Sequence, residues 1–539
     1  MSTTSRSRAA ARVVAAVVTF PFVAPAQVPG PALGAETGVY SESYGITGRE
    51  ARRPAQTTRV YASPTFSWMG LEVGTNLMWS TESEFTAQSI NRYYLNPRWS
   101  WGQVHAGDYT PSMSRFTAYA TRIRGGGVEL NPGRLRFAVA AGQAQEATDL
   151  TVFDAAPRRL MYSGLVGYGD PAGTFIELSA LRAVDDSAGA DSVSVAPQEN
   201  AVAALAGGFG IGRVRFKGDV SASLFSRDVR ASELDSTSQP SAGEGAFTPR
   251  LSSRFDQAWS AESRVTFGRG SVSARLEHVG PGFTTLGNPY LSNDRREARL
   301  SANLRLLGGR LSTVGAAGLR YDNLAGEKRG TTYRRTGSLM ATLVSGQRLV
   351  SSASVLVNGL TLNPAPLPPG TPDPGAIDSF RLRNITFAVT LLEQVRFGPH
   401  TVALTIASQH LDDASPRFGD VLDATSSTVN LDWSVVALRE LQFSLRPGYQ
   451  RFSTVAGAES FSSVGFAIAR RVPKSAWNAS VAGTWTQVDE GSQWRQDASF
   501  GYRLTERDQL GAQVRYTSVR GVAEPFTETL ASLRLTRRW

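Results

Sequence analysis

Alternation is the feature that most constrains this chain. From residue 58 to the end, segments of about 10–14 residues switch polarity at every second position and then break. In "EARLSANLRLL" (297–307), Ala298, Leu300, Ala302, Leu304 and Leu306 share one phase, and Arg299, Ser301, Asn303 and Arg305 share the other. Side chains of a strand point alternately to its two faces, so one face here is wholly apolar and the other is wet. "VNLDWSV" (429–435) repeats the pattern with Asp432 on the wet phase, and "ELQFSLRPGYQ" (440–450) repeats it with Arg446. Strands of soluble proteins usually run about 5–6 residues, so segments this long point away from a sandwich or propeller.

The breaks carry the second constraint. Tight ones, such as "TERD" (505–508), "GGR" (308–310), "GRG" (268–270), "IGR" (211–213) and "NPGR" (131–134), alternate with long polar ones, such as 185–198, 228–254, 281–294, 361–378 and 412–427. Short turns on one side and long loops on the other are what a transmembrane barrel requires. Unpaired backbone in hydrocarbon costs several kcal/mol per group, so such a sheet must close on itself. The expected fold is therefore all-β, a single large transmembrane antiparallel β-barrel over 58–539 with about 24 strands, in the range 22–26. Four of these strands are expected within 58–130, at 58–68, 71–80, 90–109 (bent at Pro97) and 115–130.

Composition narrows the field further. The chain has no cysteine, which excludes thiolate metal sites and cysteine nucleophiles. No apolar run long enough for a membrane helix follows residue 26. Arg6, Arg8 and Arg12, the apolar stretch 13–24 and Ala24-Pro25-Ala26 read as a cleavable signal peptide over 1–26. That segment holds three arginines and no acid, so its removal lowers the net charge from +10 to +7. Residues 27–57 are rich in Pro, Gly, Ala and Ser and are expected to form a flexible periplasmic lead-in. A mild, unclustered excess of basic residues on an exported chain does not point to nucleic acid.

Trp477 and Trp485 share the apolar phase of 476–487; eight residues apart on a tilted strand, they would stand roughly 20 Å apart along the membrane normal, near the spacing of two aromatic girdles. The chain ends "ASLRLTRRW", with Leu533, Leu535 and the terminal Trp539 on one phase. This ending, with the alternation before it, resembles Gram-negative outer-membrane β-barrel proteins of porin type. The resemblance implies that Trp539 is read by the barrel-assembly machinery, that the partners are outer-membrane lipid, lipopolysaccharide and small solutes, and that the location is the outer membrane. Arg537 departs from the family pattern, which usually has an apolar residue there. The stretch "AGDYTPSMSRFTAYATRIRGGGVEL" (106–130) also resembles the GD…RG region of fimbrial ushers, which are large barrels too. Ushers add a plug and soluble domains that this sequence does not suggest, so an usher's function is not carried over.

Candidate chemistry is sparse. His278 and His410 fall at the outer ends of apolar-phase positions, where an outer-leaflet phospholipase barrel keeps its histidine, but five expected strands separate them. His105 and His400 have no metal-ligand spacing to another histidine, and no cofactor or metal is expected. Asp185-Asp186 and Asp412-Asp413 read as loop charge, with calcium as the alternative. The wet phase is more informative. Arg213, Arg215, Lys217, Arg275, Glu277, Arg299, Asn303, Arg305, Asp432, Arg446 and Arg515 should line the lumen, because a charge facing lipid at midplane costs about 2–4 kcal/mol. The expected function is passive diffusion of small hydrophilic, mostly anionic, solutes, narrowed by the loops 361–378 or 228–254 folding inward. A secretion or surface-assembly pore recruiting a partner through 27–57, and an outer-leaflet lipid enzyme, are the alternatives.

Overall fold

A computed structural model describes residues 30–85, 89–147, 156–186, 195–234, 247–346, 349–364, 380–383, 391–413, 415, 423–437, 440–470, 472, 475–488, 491–521 and 524–539. Residues 1–26, expected as a signal peptide, and the loop 361–378, apart from its first residues, lie outside them.

The strands are β1 (Ala32–Thr47), β2 (Gln56–Trp68), β3 (Leu71–Ser80), β4 (Arg92–Trp99), β5 (Gly102–Tyr109), β6 (Ile123–Leu130), β7 (Leu135–Gln145), β8 (Arg159–Gly169) and β9 (Phe175–Asp185). They continue with β10 (Glu199–Ile211), β11 (Val214–Ser226), β12 (Ser253–Phe267), β13 (Gly270–Val279), β14 (Arg295–Leu306), β15 (Leu311–Tyr321), β16 (Gly330–Ser345), β17 (Leu349–Pro364) and β18 (Phe380–Arg383). The rest are β19 (Leu391–Phe397), β20 (His400–Asp413), β21 (Ala424–Ala437), β22 (Leu441–Thr454), β23 (Gly457–Arg470), β24 (Trp477–Val488), β25 (Gly491–Arg503), β26 (Asp508–Arg520) and β27 (Phe526–Arg538). Every neighbouring pair is antiparallel, and β1 pairs with β27, so the sheet closes into a barrel. The strands β18 and β19 share one place between β17 and β20, which gives 26 positions around the wall.

Two features of the N-terminal part raise the count above 24. The stretch 27–57, expected as a flexible lead-in, holds β1, whose pairing with β27 runs from Glu36↔Arg538 to Thr47↔Thr527. Its alternation is carried by small residues (Gly34, Ala35, Gly38), which hides the period from a polarity reading. The stretch 90–109, expected as one bent strand, is two, β4 and β5, joined by a turn at Ser100-Trp101. Pro97 lacks an N–H, and the β4–β5 pairing skips from Leu95↔Ala106 to Arg98↔Gln103 there; the Asn96 side-chain amide donates to the Val104 carbonyl at 2.8 Å in its place.

Both ends of the wall lie on the short-turn side, where Trp539 donates its backbone N–H to the Ala35 carbonyl at 2.8 Å. Arg537, the departure from the expected ending, lies over the Trp539 ring at 4.0 Å and 3.7 Å from Asp508 in the neighbouring short turn. An even number of antiparallel strands puts both ends on one side, the periplasmic side of an outer-membrane-type barrel.

The two strand phases separate cleanly. Val139, Val166, Leu178, Leu205, Leu300, Val481, Leu533 and Leu535 are exposed on the outer face, as are Trp477 and Trp485, forming an apolar belt. The opposite phase faces the lumen, and part of it along β7–β13 is covered. The connection 110–122 leaves the wall after β5 and folds inside the barrel, as does the connection 280–294. Phe116, Thr117, Ala118 and Phe283 in these segments are fully buried. They pack on lumen-phase residues Ile123, Ala140, Met161, Leu181, Ala183, Val202, Ala258 and Val279, so the wall is apolar on both faces where they lie. The expected strand 115–130 is therefore half wall (β6) and half inner segment.

Candidate functional site

The inward segments are held by polar wall residues. Ser114 donates to Asp219 on β11 at 2.7 Å, and Thr117 meets Ser179 on β9 at 3.2 Å. Ser179 lies four residues from the short-turn end of its strand, roughly 10 Å up a tilted wall, so the segment 110–122 reaches past mid-height. Asn200 on β10 donates to the Thr284 carbonyl at 3.0 Å and accepts from the Leu286 amide at 3.0 Å. The two segments also bind each other. Tyr119 donates its N–H to the Gly287 carbonyl at 2.8 Å, Thr285 donates to the Thr117 carbonyl at 2.9 Å, and Asn288 donates to the Arg115 carbonyl at 2.8 Å. Gly287 is required there, since a Cβ would lie 2.3 Å from the Thr117 carbonyl oxygen.

Beside this inner layer the lumen face is basic. Glu277 on β13 is 5% exposed and is shared by three arginines. Arg115 reaches it from the inward segment with two contacts of 2.6 Å, Arg295 at 2.6 Å from β14, and Arg275 at 3.1 Å along its own strand. Next to this cluster, Arg275 stands in register with Arg299, and Arg320 with Arg334. Among the described residues, no ion pair reaches Arg299, Arg320 or Arg334; Arg320 donates to Ser292 at 3.0 Å and Arg334 to Asn358 at 3.3 Å. Six arginines (115, 275, 295, 299, 320, 334) thus face two carboxylates, Glu277 and Glu297, a formal excess of four positive charges. Glu262, next along the row, is taken by Arg264 at 3.2 Å.

The expected lining residues fall as follows. Arg215 and Lys217 lie on the lumen phase of β11, with Lys217 over the Phe175 ring at 5.7 Å. Asn303 and Arg305 lie on the lumen phase near the short-turn end of β14. Arg446 pairs with Asp432 at 2.7 Å, and Arg515 with Asp497 at 2.7 Å, so their charges are balanced locally. Arg213 is not on the wall. It lies in the turn between β10 and β11, where its carbonyl accepts from Thr266 at 3.0 Å. Glu277 is no open lining group, because its carboxylate is consumed by the three arginines. The structure adds Arg115, Arg295, Arg320 and Arg334. Arg320 and Arg334 were legible as wet-phase residues in "AGLRY" and "TYRRTG"; Arg115 was not, because its segment leaves the wall.

Of the two loops expected to narrow the lumen, 361–378 lies outside the described residues beyond its first four. The described part of 228–254 closes on itself through the Glu233↔Arg250 bridge, and 110–122 and 280–294 are the segments that enter the lumen. His278 stacks on Trp259 at 5.9 Å on the outer face, and His410 lies 3.1 Å from Thr425, with five wall positions between their strands. His400 stacks between Phe397 and Trp433, also on the outer face. His105 faces the lumen between Tyr94 and Tyr109, 3.2 Å from Glu129. Asp185, considered for calcium, is held by Arg159 at 2.6 and 2.8 Å and accepts the Gln198 amide at 2.9 Å. Among the described residues no group of three His, Asp or Glu converges as a metal site.

No family model matches this chain, and no curated protein matches it. Solved structures similar to it include the P pilus usher (PapC) translocation pore, at 9% identity over 94% of this chain and 99% of that one, TM-score 0.38. The siderophore receptor PirA from Pseudomonas aeruginosa is similar at 10% identity over 95% and 81%, TM-score 0.41. An anion-selective porin from Comamonas acidovorans is similar at 10% identity over 53% and 93%, TM-score 0.27. Likeness at this level carries no argument about what the chain transports. The closed even-stranded wall with its outward apolar belt does carry one about class: this is a transmembrane β-barrel of outer-membrane type.

Proposed function

We propose that the protein is an outer-membrane channel for passive diffusion of small hydrophilic solutes, with a preference for anions. The observation that carries this reading is the excess of arginine over carboxylate on the lumen face of β13–β16, beside segments that narrow the passage. Fixed positive charge along a narrowed aqueous path raises the local concentration of anions and repels cations. Among the described residues, the inward pair packs on the β7–β13 side and not on the lumen face of β20–β27, and solutes would pass along that side. The test is single-channel recording of the refolded chain in a planar bilayer under a potassium chloride gradient. A steady conductance whose reversal potential lies toward chloride is expected; a potential toward potassium overturns the anion preference, and a silent barrel overturns the open channel.

The second reading, a secretion or surface-assembly pore, draws on one feature. The inward pair is held to the wall by side-chain hydrogen bonds and could leave the lumen as a unit. Its proposed recruiting segment 27–57, however, largely forms a wall strand, so a periplasmic partner would need another surface.

A further inference from the structure

We propose that the lumen wall at Gly318 is a binding station for a compact tetrahedral dianion, the phosphoryl group of a phosphate monoester or of inorganic phosphate. The proposal deepens the anion-channel reading and names the solute class it would serve.

The station is built by register. Gly318 occupies a lumen-phase position of β15 and leaves a floor without a side chain. Directly across on β14 is Arg299, and directly across on β16 is Thr336. Arg320 follows two residues along β15, and Arg334 precedes Thr336 by two on β16. Three guanidinium groups and one hydroxyl therefore surround one bare position. Strands β14 and β16 are two steps apart, about 10 Å, a gap that two arginine side chains reaching inward can close around one small anion.

The charge pattern makes the same point independently. Like charges directly opposite one another on neighbouring strands are destabilising. This wall places Arg275 opposite Arg299 and Arg320 opposite Arg334, and the nearest buried carboxylate, Glu277, is already shared by Arg115, Arg275 and Arg295. Several lumen arginines have a carboxylate within ion-pair distance, as in Arg446–Asp432, Arg515–Asp497 and Arg136–Glu177. Among the described residues Arg299, Arg320 and Arg334 around Gly318 have none, although Glu297 stands across from Arg320 in register. Arg299 and Arg334 are exposed to the lumen, so their donors are open to a solute. Guanidinium groups present paired donors that match a phosphoryl group, and a dianion gains from each of them where chloride gains once. Gly318 also has little room for a side chain, since a Cβ would lie 2.8 Å from the Thr336 hydroxyl.

The experiment is equilibrium binding of radiolabelled inorganic phosphate to the refolded full-length chain, paired with bilayer recording of chloride current as phosphate is added. The variants are the double substitution Arg299→Gln/Arg334→Gln and, separately, Gly318→Leu, which fills the floor and keeps every charge. Retention of the compact barrel on unheated gels checks folding. Saturable binding to the wild type, weakened at least tenfold in both variants, is the expected result. Displacement by glycerol 3-phosphate assigns the station to phosphate monoesters; binding without displacement assigns it to free phosphate. No saturable binding, or equal binding by wild type and both variants, overturns the station even where the channel conducts chloride. Phosphate binding by a barrel that stays silent keeps the station and overturns the channel.

Discussion

Arg115, on a segment folded inside the barrel, closes on Glu277 of β13 through two contacts of 2.6 Å across 162 residues of sequence. This pair fastens the inner layer to a lumen face that carries an excess of arginine over carboxylate. Fold and candidate function meet at that carboxylate, which explains why its removal should be felt in both stability and transport.

Glu277→Gln leaves Arg115, Arg275 and Arg295 without their common partner. Breaking a buried ion pair by removing one member costs about 3–5 kcal/mol, and the lower end applies here because the lumen can rehydrate the arginines. The urea midpoint of the refolded barrel should fall, and the reversal potential in a chloride gradient should move further toward chloride. An unchanged midpoint would show that Arg115 does not hold the inner segment.

Gly287→Val places a branched side chain where a Cβ already meets the Thr117 carbonyl oxygen at 2.3 Å. The two inward segments cannot keep their contacts at that approach, so the pair should part. Single-channel traces should show larger and noisier conductance than wild type, with the wall intact by circular dichroism. Identical traces would mean that the pair does not narrow the conducting path.

The phase assignment is open to a paired test on one strand. Leu300 lies on the outer face of β14 and is 53% exposed to the bilayer side, and Ser301 faces the lumen. Leu300→Arg should cost about 2–4 kcal/mol in lipid vesicles, the range for a lipid-facing arginine near midplane. Ser301→Arg should be nearly neutral and should strengthen chloride preference. Equal costs for the two would mean that the faces are misassigned.

A pH-sensitive contact lies in the outer loops. Lys328 stands 2.5 Å from Asp294 and 3.1 Å from Asp322. Burial alone would raise the Asp294 carboxyl, but Lys328 and the backbone amides of Leu324 and Asn323 outweigh it and hold it below the usual range. Burial would likewise lower Lys328, yet the two carboxylates outweigh it and hold it above its ordinary value. A depressed carboxyl contributes above its unfolded pKa of about 4 and loses that contribution as pH falls through the folded value. A raised lysine contributes below about 10.4 and loses it as pH rises through the folded value. A spin label at Glu327 should therefore stay ordered down past the ordinary carboxylate value of about 4 and up past the ordinary lysine value of about 10.4, and become mobile only beyond the folded values on either side. Mobility that does not change anywhere in an acid titration would show that the ion pair does not order the loop.

The strand phases of 58–539 were legible because a membrane barrel imposes the same two-residue period on every segment, and lipid punishes each error. Leu300 against Arg299, and Leu533 and Leu535 against Arg534, are assigned by parity alone. The inner layer left a fainter trace. In "AVAALAGGFGI" (201–211) and "LSALRAV" (178–184) both phases are largely apolar, which marks a wall covered on both faces without saying what covers the inner one. β1 was hidden for the opposite reason, since its small residues blur the polarity contrast and its strand identity comes from pairing with the far end of the chain.

The sequence by itself determined a long-stranded antiparallel barrel with an apolar outer face and a basic wet face, because period and break length are local properties. Only the tertiary structure decided which arginines are neutralised. Asp432 and Arg446, or Glu277 and Arg115, become partners through register and through a connection that leaves the wall. Those distances are set by closure of the whole sheet, and no local period records them.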